Sequence, residues 1–111
     1  MDIIEEKSND IAVFKLNGSL DSNTSPAFEE KVVAIIEGGT SKIIVDFSGL
    51  DYISSAGLRV LNLASVKLKP SNGNLVLCCL QDYVREVFEI AGFDQFLPIV
   101  ATMEDATAKF N

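Results

Sequence analysis

The run Ile43-Ile44-Val45-Asp46-Phe47-Ser48-Gly49-Leu50-Asp51-Tyr52-Ile53-Ser54-Ser55-Ala56-Gly57-Leu58 joins an apolar strand to the start of a helix. Ile43 to Phe47 lacks the polar alternation of a half-exposed strand, which predicts a central strand covered on both faces. Ser48 to Asp51 reads as a short linker. A helix then follows Ser54 or Ser55, with Leu58, Leu61, Ala64 or Ser65, and Leu68 along one side. Two hydroxyls stand where the unpaired N–H groups of a helix start emerge. That corner is the candidate functional surface, suited to accepting a phosphate rather than to breaking a bond.

The pattern continues on both sides. Upstream, Ile3 to Glu6 and Ile11 to Leu16 read as two strands joined through Ser8, Asn9 and Asp10, and Gly18 precedes the polar segment Ser19 to Thr24, with Leu20 turned inward. Ser25 before Pro26 predicts a capped helix with Phe28, Val32, Ile35 and Ile36 on its inner side, stopped by Gly38 and Gly39. Downstream, Lys69, Pro70 and the turn Ser71 to Asn74 end the second helix, and Leu75 to Leu80 is a further apolar strand. Asp82 is placed to cap a third helix with Val84, Val87, Phe88 and Ala91 inward, ended by Gly92. Phe96 to Val100 predicts a short last strand, and Thr102 with Asp105 resembles a capping box opening a terminal helix. The expected architecture is α/β, a mixed sheet of four to five strands with about four helices, each layer hiding the apolar side of another.

A length of 111 residues, with 48% hydrophobic and 23% charged, suits one domain spanning residues 1–111. Nine Lys and Arg stand against 16 Asp and Glu, so the net charge of -7 repels nucleic acid and anionic lipid. The basic residues are scattered and form no run. No stretch of about 20 apolar residues occurs and the amino terminus lacks the order of an export signal, so neither membrane insertion nor export is expected and the cytoplasm is the expected location. There is no internal repeat.

Catalytic readings find little support. The chain contains no His, which excludes a Ser–His–Asp relay and leaves a cysteine nucleophile without an imidazole partner. The adjacent Cys78 and Cys79 read as a buried strand end. Asp21, Asp46 and Asp51 would be the acids of a cation site, but they read as turn and strand-end residues; no metal and no cofactor is expected. Asp46, at the end of an apolar strand, needs hydrogen-bond donors, which nearby loop N–H groups can supply. The glycines match neither a dinucleotide fingerprint nor a phosphate-gripping loop.

With Ser54 as cap, Ser55 falls in the first turn, near solvent and the positive end of the helix dipole. A phosphate there is tolerated by the fold and gains about 0.3–2 kcal/mol from the terminus. A partner pressed on Tyr52, Ser55 and Leu58 would instead meet about 1.5 to 2 new negative charges in a desolvating contact, and binding would fail. Serines that do no more than cap and turn are also common before helices.

The segments Gly18-Ser19-Leu20-Asp21-Ser22-Asn23-Thr24 with Pro26 and Phe28, Ile44-Val45-Asp46-Phe47-Ser48-Gly49, and above all Tyr52-Ile53-Ser54-Ser55-Ala56-Gly57-Leu58 with Leu61 together resemble a STAS domain, of the stand-alone bacterial anti-sigma factor antagonist type (SpoIIAA/RsbV-like). The resemblance covers nearly the whole chain. It implies a non-enzymatic protein whose unmodified form binds an anti-sigma factor that is also a serine kinase, freeing the sigma factor for transcription. Phosphorylation of the serine at the start of the second helix, here Ser55, ends that association, and a PP2C-like phosphatase restores it. ATP belongs to the kinase. The implied binding face comprises Asp21, Ser22, Asn23, Thr24, Tyr52, Ser54, Ser55, Ala56, Gly57 and Leu58. The family often carries Asp, Ser, Ser or Thr, Gly at this corner; here Ser54 holds the Asp position, caps without a negative charge, and is itself an alternative site of modification. The competing expectation is a STAS subunit that docks constitutively in a transport or sensory complex.

Overall fold

The computed structural model describes residues 1–110. Its elements are β1 (Asp2–Ser8), β2 (Ile11–Leu20), α1 (Ser25–Glu37), β3 (Lys42–Ile53), α2 (Ser55–Leu68), β4 (Asn74–Cys78), α3 (Asp82–Ala91), β5 (Ile99–Val100) and α4 (Met103–Ala108), with single 3-10 turns at Lys69–Ser71 and Phe93–Gln95. The five strands form one sheet in the order β1-β2-β3-β4-β5. β1 and β2 form an antiparallel hairpin, and every other pairing is parallel. The mixed sheet and its helices are those the sequence predicts. Among the described residues no helix is long and apolar enough to cross a membrane.

Alternation along β3 explains its unbroken apolar run. Ile43, Val45 and Phe47 point into a core shared with Phe28 and Val32 of α1, Leu61 and Leu68 of α2, and Val84 and Phe88 of α3. Ile44 points to the opposite face, where it meets Val13, Val76 and Ala106 of α4. Edge-to-face aromatic pairs, Phe14–Phe28 at 5.6 Å and Phe47–Phe88 at 5.8 Å, pin α1 and α3 to the sheet.

Several boundaries differ from expectation. Ser48 to Asp51 is strand rather than linker: β3 continues to Ile53 and β2 to Leu20, their pairing interrupted by register shifts at Lys15/Asn17 and Gly18/Ser19. Phe47, Leu50 and Ile53 are all buried, a spacing of three that a strand of period two reaches only through such irregularities. Gly49 lets the side-chain amide of Asn17 pack against the strand where a Cβ would collide with it. β1 likewise runs longer, and β4 stops at Cys78, where the next residue, Cys79, turns into left-handed backbone at φ 64°. The last strand shrinks to Ile99–Val100 because Phe93–Gln95 coils before it.

Ser25 does not cap α1. Thr24 precedes the helix, and the buried Ser25 hydroxyl has no hydrogen-bond partner. Gln81, not Asp82, occupies the cap position of α3, where Ala91 is exposed. Thr102 does cap α4, its hydroxyl oxygen accepting from the Asp105 N–H at 3.1 Å.

Candidate functional site

The ends of β2 and β3 lie side by side, Ser19 opposite Tyr52 and Leu20 opposite Ile53. The Ser54 N–H donates to the Leu20 carbonyl at 2.9 Å, which ties the start of α2 to the end of β2. The loop Asp21 to Thr24 leaves from the same point. Two segments some 30 residues apart in sequence thereby form one corner at the carboxyl ends of the parallel strands, the usual position for a functional site in an open α/β sheet.

Ser54 is the cap of α2. Its backbone is extended at φ -99°, ψ 174°, its hydroxyl oxygen accepts from the Gly57 N–H at 3.4 Å, and its carbonyl accepts from the Leu58 N–H at 3.0 Å. This commits Ser54 to holding the helix and places Ser55 at the first helical position, exposed to solvent. The first turn of α2 carries no acidic residue, so the positive end of its dipole is uncompensated by any side chain of its own.

Gly57 sets how closely this turn approaches the sheet. A Cβ added there would lie 2.8 Å from Ile53 Cγ1 and 2.9 Å from Leu20 Cγ, inside contact distance of two buried side chains. The backbone of α2 therefore rests directly on the strand ends. Gly57 and Leu58 are buried, so the expected contact surface of Tyr52, Ser55 and Leu58 is corrected: Leu58 faces the core, while Tyr52, 53% exposed, and Ser55 remain on the surface with half-buried Ala56 between them and the core.

Asp21 organises the adjacent loop. One carboxylate oxygen accepts from the N–H groups of Asn23 at 2.9 Å and Thr24 at 3.0 Å, and these bonds hold its pKa below the ordinary carboxylate value. The Thr24 hydroxyl donates to the Ser19 carbonyl at 2.7 Å and accepts from the Asp21 N–H at 2.9 Å. This knot leaves the side chains of Ser22 and Asn23 exposed at its tip.

Asp46 lies on the other face of the sheet, in register with Lys15 on one side and Cys78 on the other, and one of its oxygens accepts from the Ser48 N–H at 2.9 Å. It forms no cation site with Asp21 and Asp51. Among the described residues the close group is instead Asp46, Cys78 and Cys79, with Met103 Sδ 3.4 Å from Cys78 Sγ. Burial pushes both thiols up from their ordinary value, so at neutral pH they are protonated. Sequence reasoning missed this group because pairing across two strands created it.

It also missed Arg59, whose guanidinium pairs with Glu29 of α1 at 2.7 Å. The pair borders an open groove of about 550 Å3 lined by Pro26, Glu29, Val33, Glu37 and Arg59 among others. The available signal was spacing: Arg59 lies four residues, one helical turn, beyond Ser55.

A helix-flanked, mostly parallel sheet presenting one knotted loop and one exposed serine at a helix start defines a class of compact α/β modules. The family model for the STAS domain matches residues 2–106, and the chain belongs to that family. BtrV of Bordetella bronchiseptica, a candidate anti-sigma factor antagonist, is 38% identical over 110 residues, which cover 99% of this chain and 95% of BtrV. The Thermotoga maritima protein TM1081 superimposes with a TM-score of 0.92 at 20% identity, covering 96% of this chain and 92% of that one. The anti-sigma factor antagonist SpoIIAA in its unphosphorylated form gives 0.86 at 23% identity, with coverage of 98% and 96%. Its phosphorylated form, from Bacillus, gives 0.78 at 22% identity, with coverage of 99% and 100%. At these identities the solved structures establish the shared fold.

Proposed function

We propose that this chain is an anti-sigma factor antagonist that works by partner switching in the cytoplasm. Its unphosphorylated form binds an anti-sigma factor with serine kinase activity and so releases the sigma factor. The kinase transfers the γ-phosphoryl group of ATP to Ser55 Oγ, forming the Oγ–P bond as the bond to ADP breaks, and the hydroxyl proton passes to the kinase. Binding then ends, and a PP2C-like phosphatase returns the hydroxyl. The chain itself performs no catalysis.

The observation that carries this reading is the division of labour between neighbouring serines. Ser54 holds the helix, which leaves Ser55 exposed and dispensable to the fold. The name of BtrV, a relative matching nearly the whole chain, supports the same reading. The proposed contact face is Ser22, Asn23, Tyr52 and Ser55, shaped from beneath by Asp21, Thr24, Ser54, Ala56, Gly57 and Leu58. A dianion arriving at its centre would be desolvated by the bound partner, which is where added charge costs most.

Calorimetry of wild type and Ser55→Asp against the candidate kinase, with circular dichroism on both, tests the switch. Loss of binding with an unchanged folded spectrum is expected. Equal affinity of the two would replace the switch with constitutive docking. Peptide mass spectrometry after incubation with kinase and ATP should place the phosphate on Ser55; phosphate on Ser54 would overturn the assignment.

A further inference from the structure

We infer that Arg59 is the internal partner of a phosphate on Ser55, and that modification draws it away from Glu29. The inference rests on Ser55 being the modified residue. Ser55 is the first residue of α2 and Arg59 the fifth, so the two stand on one face a single turn apart. Long side chains on a helix lean toward its amino end, which sends the guanidinium toward Ser55. An anion that precedes a cation by four residues is also the favourable order.

Basic side chains near the phosphate are few, although the amino-terminal ammonium also reaches this corner, where it acts on Asp21. Between residues 16 and 30, which include the end of β2, the loop and the start of α1, there is no Lys or Arg. Between residues 43 and 66, which include the end of β3 and most of α2, Arg59 is the only one. Its present partner holds it weakly: the Arg59 side chain is 64% exposed and that of Glu29 31%, and exposed ion pairs contribute little. A phosphate carrying up to two charges, on the same helix, outcompetes one carboxylate on another helix.

The exchange has two effects. It clamps the phosphate against the first turn of α2, and it removes the ion pair that bridges α1 and α2, leaving Glu29 as an unpaired acid in the groove beside Pro26 and Glu37. A partner meets a changed surface at both places, so the modification reaches beyond the residue that bears it.

Phosphoserine encoded at position 55 during synthesis, followed by phosphorus NMR titration, tests this without any kinase. In the otherwise wild-type chain the second phosphate pKa should lie about 0.2–0.4 units below that of the Arg59→Gln chain. Arg59→Lys should restore part of the difference. Glu29→Gln, which frees the guanidinium, should lower the value further. Superimposable titrations of wild type and Arg59→Gln, with no response to Glu29→Gln, overturn the pairing. A clear difference in a chain whose partner binding ignores Ser55→Asp would retire the switch and leave the pairing intact.

Discussion

The N–H of Ser54 meets the carbonyl of Leu20 at 2.9 Å, and through that bond the end of β2 and the start of α2 become one rigid corner. Everything proposed for Ser55 depends on it, because a helix start held at its cap can carry an added group without unwinding.

Gly57→Ala would drive a methyl into Ile53 and Leu20, both buried. The expected destabilisation is about 1–3 kcal/mol, read from urea unfolding, because an overpacked contact must be relieved by moving side chains or the helix. A neutral result would mean that α2 can lift from the strand ends.

Ser54→Ala removes the hydroxyl that accepts from the Gly57 N–H. A cost of about 0.5–1 kcal/mol is expected, low in the range for caps because the bond is 3.4 Å long. Ser54→Asp should recover or exceed wild-type melting temperature, since a carboxylate caps equally well and suits the dipole.

Asp21 imposes a pH dependence of known sign. The Asn23 and Thr24 N–H groups lower its folded pKa, so its contribution is complete above the unfolded value and is lost as pH falls through the folded one. Asp21→Asn should flatten the stability profile in the acid interval below about pH 4 relative to wild type. Denaturant midpoints across that interval provide the measurement.

The thiols should react in order. Cys79 is half-buried and Cys78 is buried, and burial raises both pKa values. Iodoacetamide at neutral pH should label Cys79 slowly and Cys78 more slowly still, while guanidinium-unfolded protein labels both at one rate. Equal labelling of the native protein would show that the strand end opens.

Much was legible from residue order because local chemistry decides it. The apolar run Ile43 to Phe47 announced a covered strand, Thr102 a helix cap, and Gly38, Gly39 and Gly92 the ends of helices. Failures cluster where the chain departs from a simple period. The irregular pairing of β2 with β3 puts Phe47, Leu50 and Ile53 inside at intervals of three, so a strand read as a linker. Ser25 carried the signature of a cap, yet the helix begins at Ser25 itself, and the Thr24 carbonyl accepts its first N–H, from Phe28 at 3.4 Å.

The sequence by itself determined the kind of fold, the serine at the head of the second helix, and the absence of any histidine-based chemistry, since periodicity and residue type need no distant neighbour to act. Tertiary structure alone decided that Asp46 meets two thiols rather than two other acids, and that Arg59 holds Glu29. These are contacts between segments far apart in the chain. Their partners are selected by strand register and helix packing, which emerge only when the layers close over a common core.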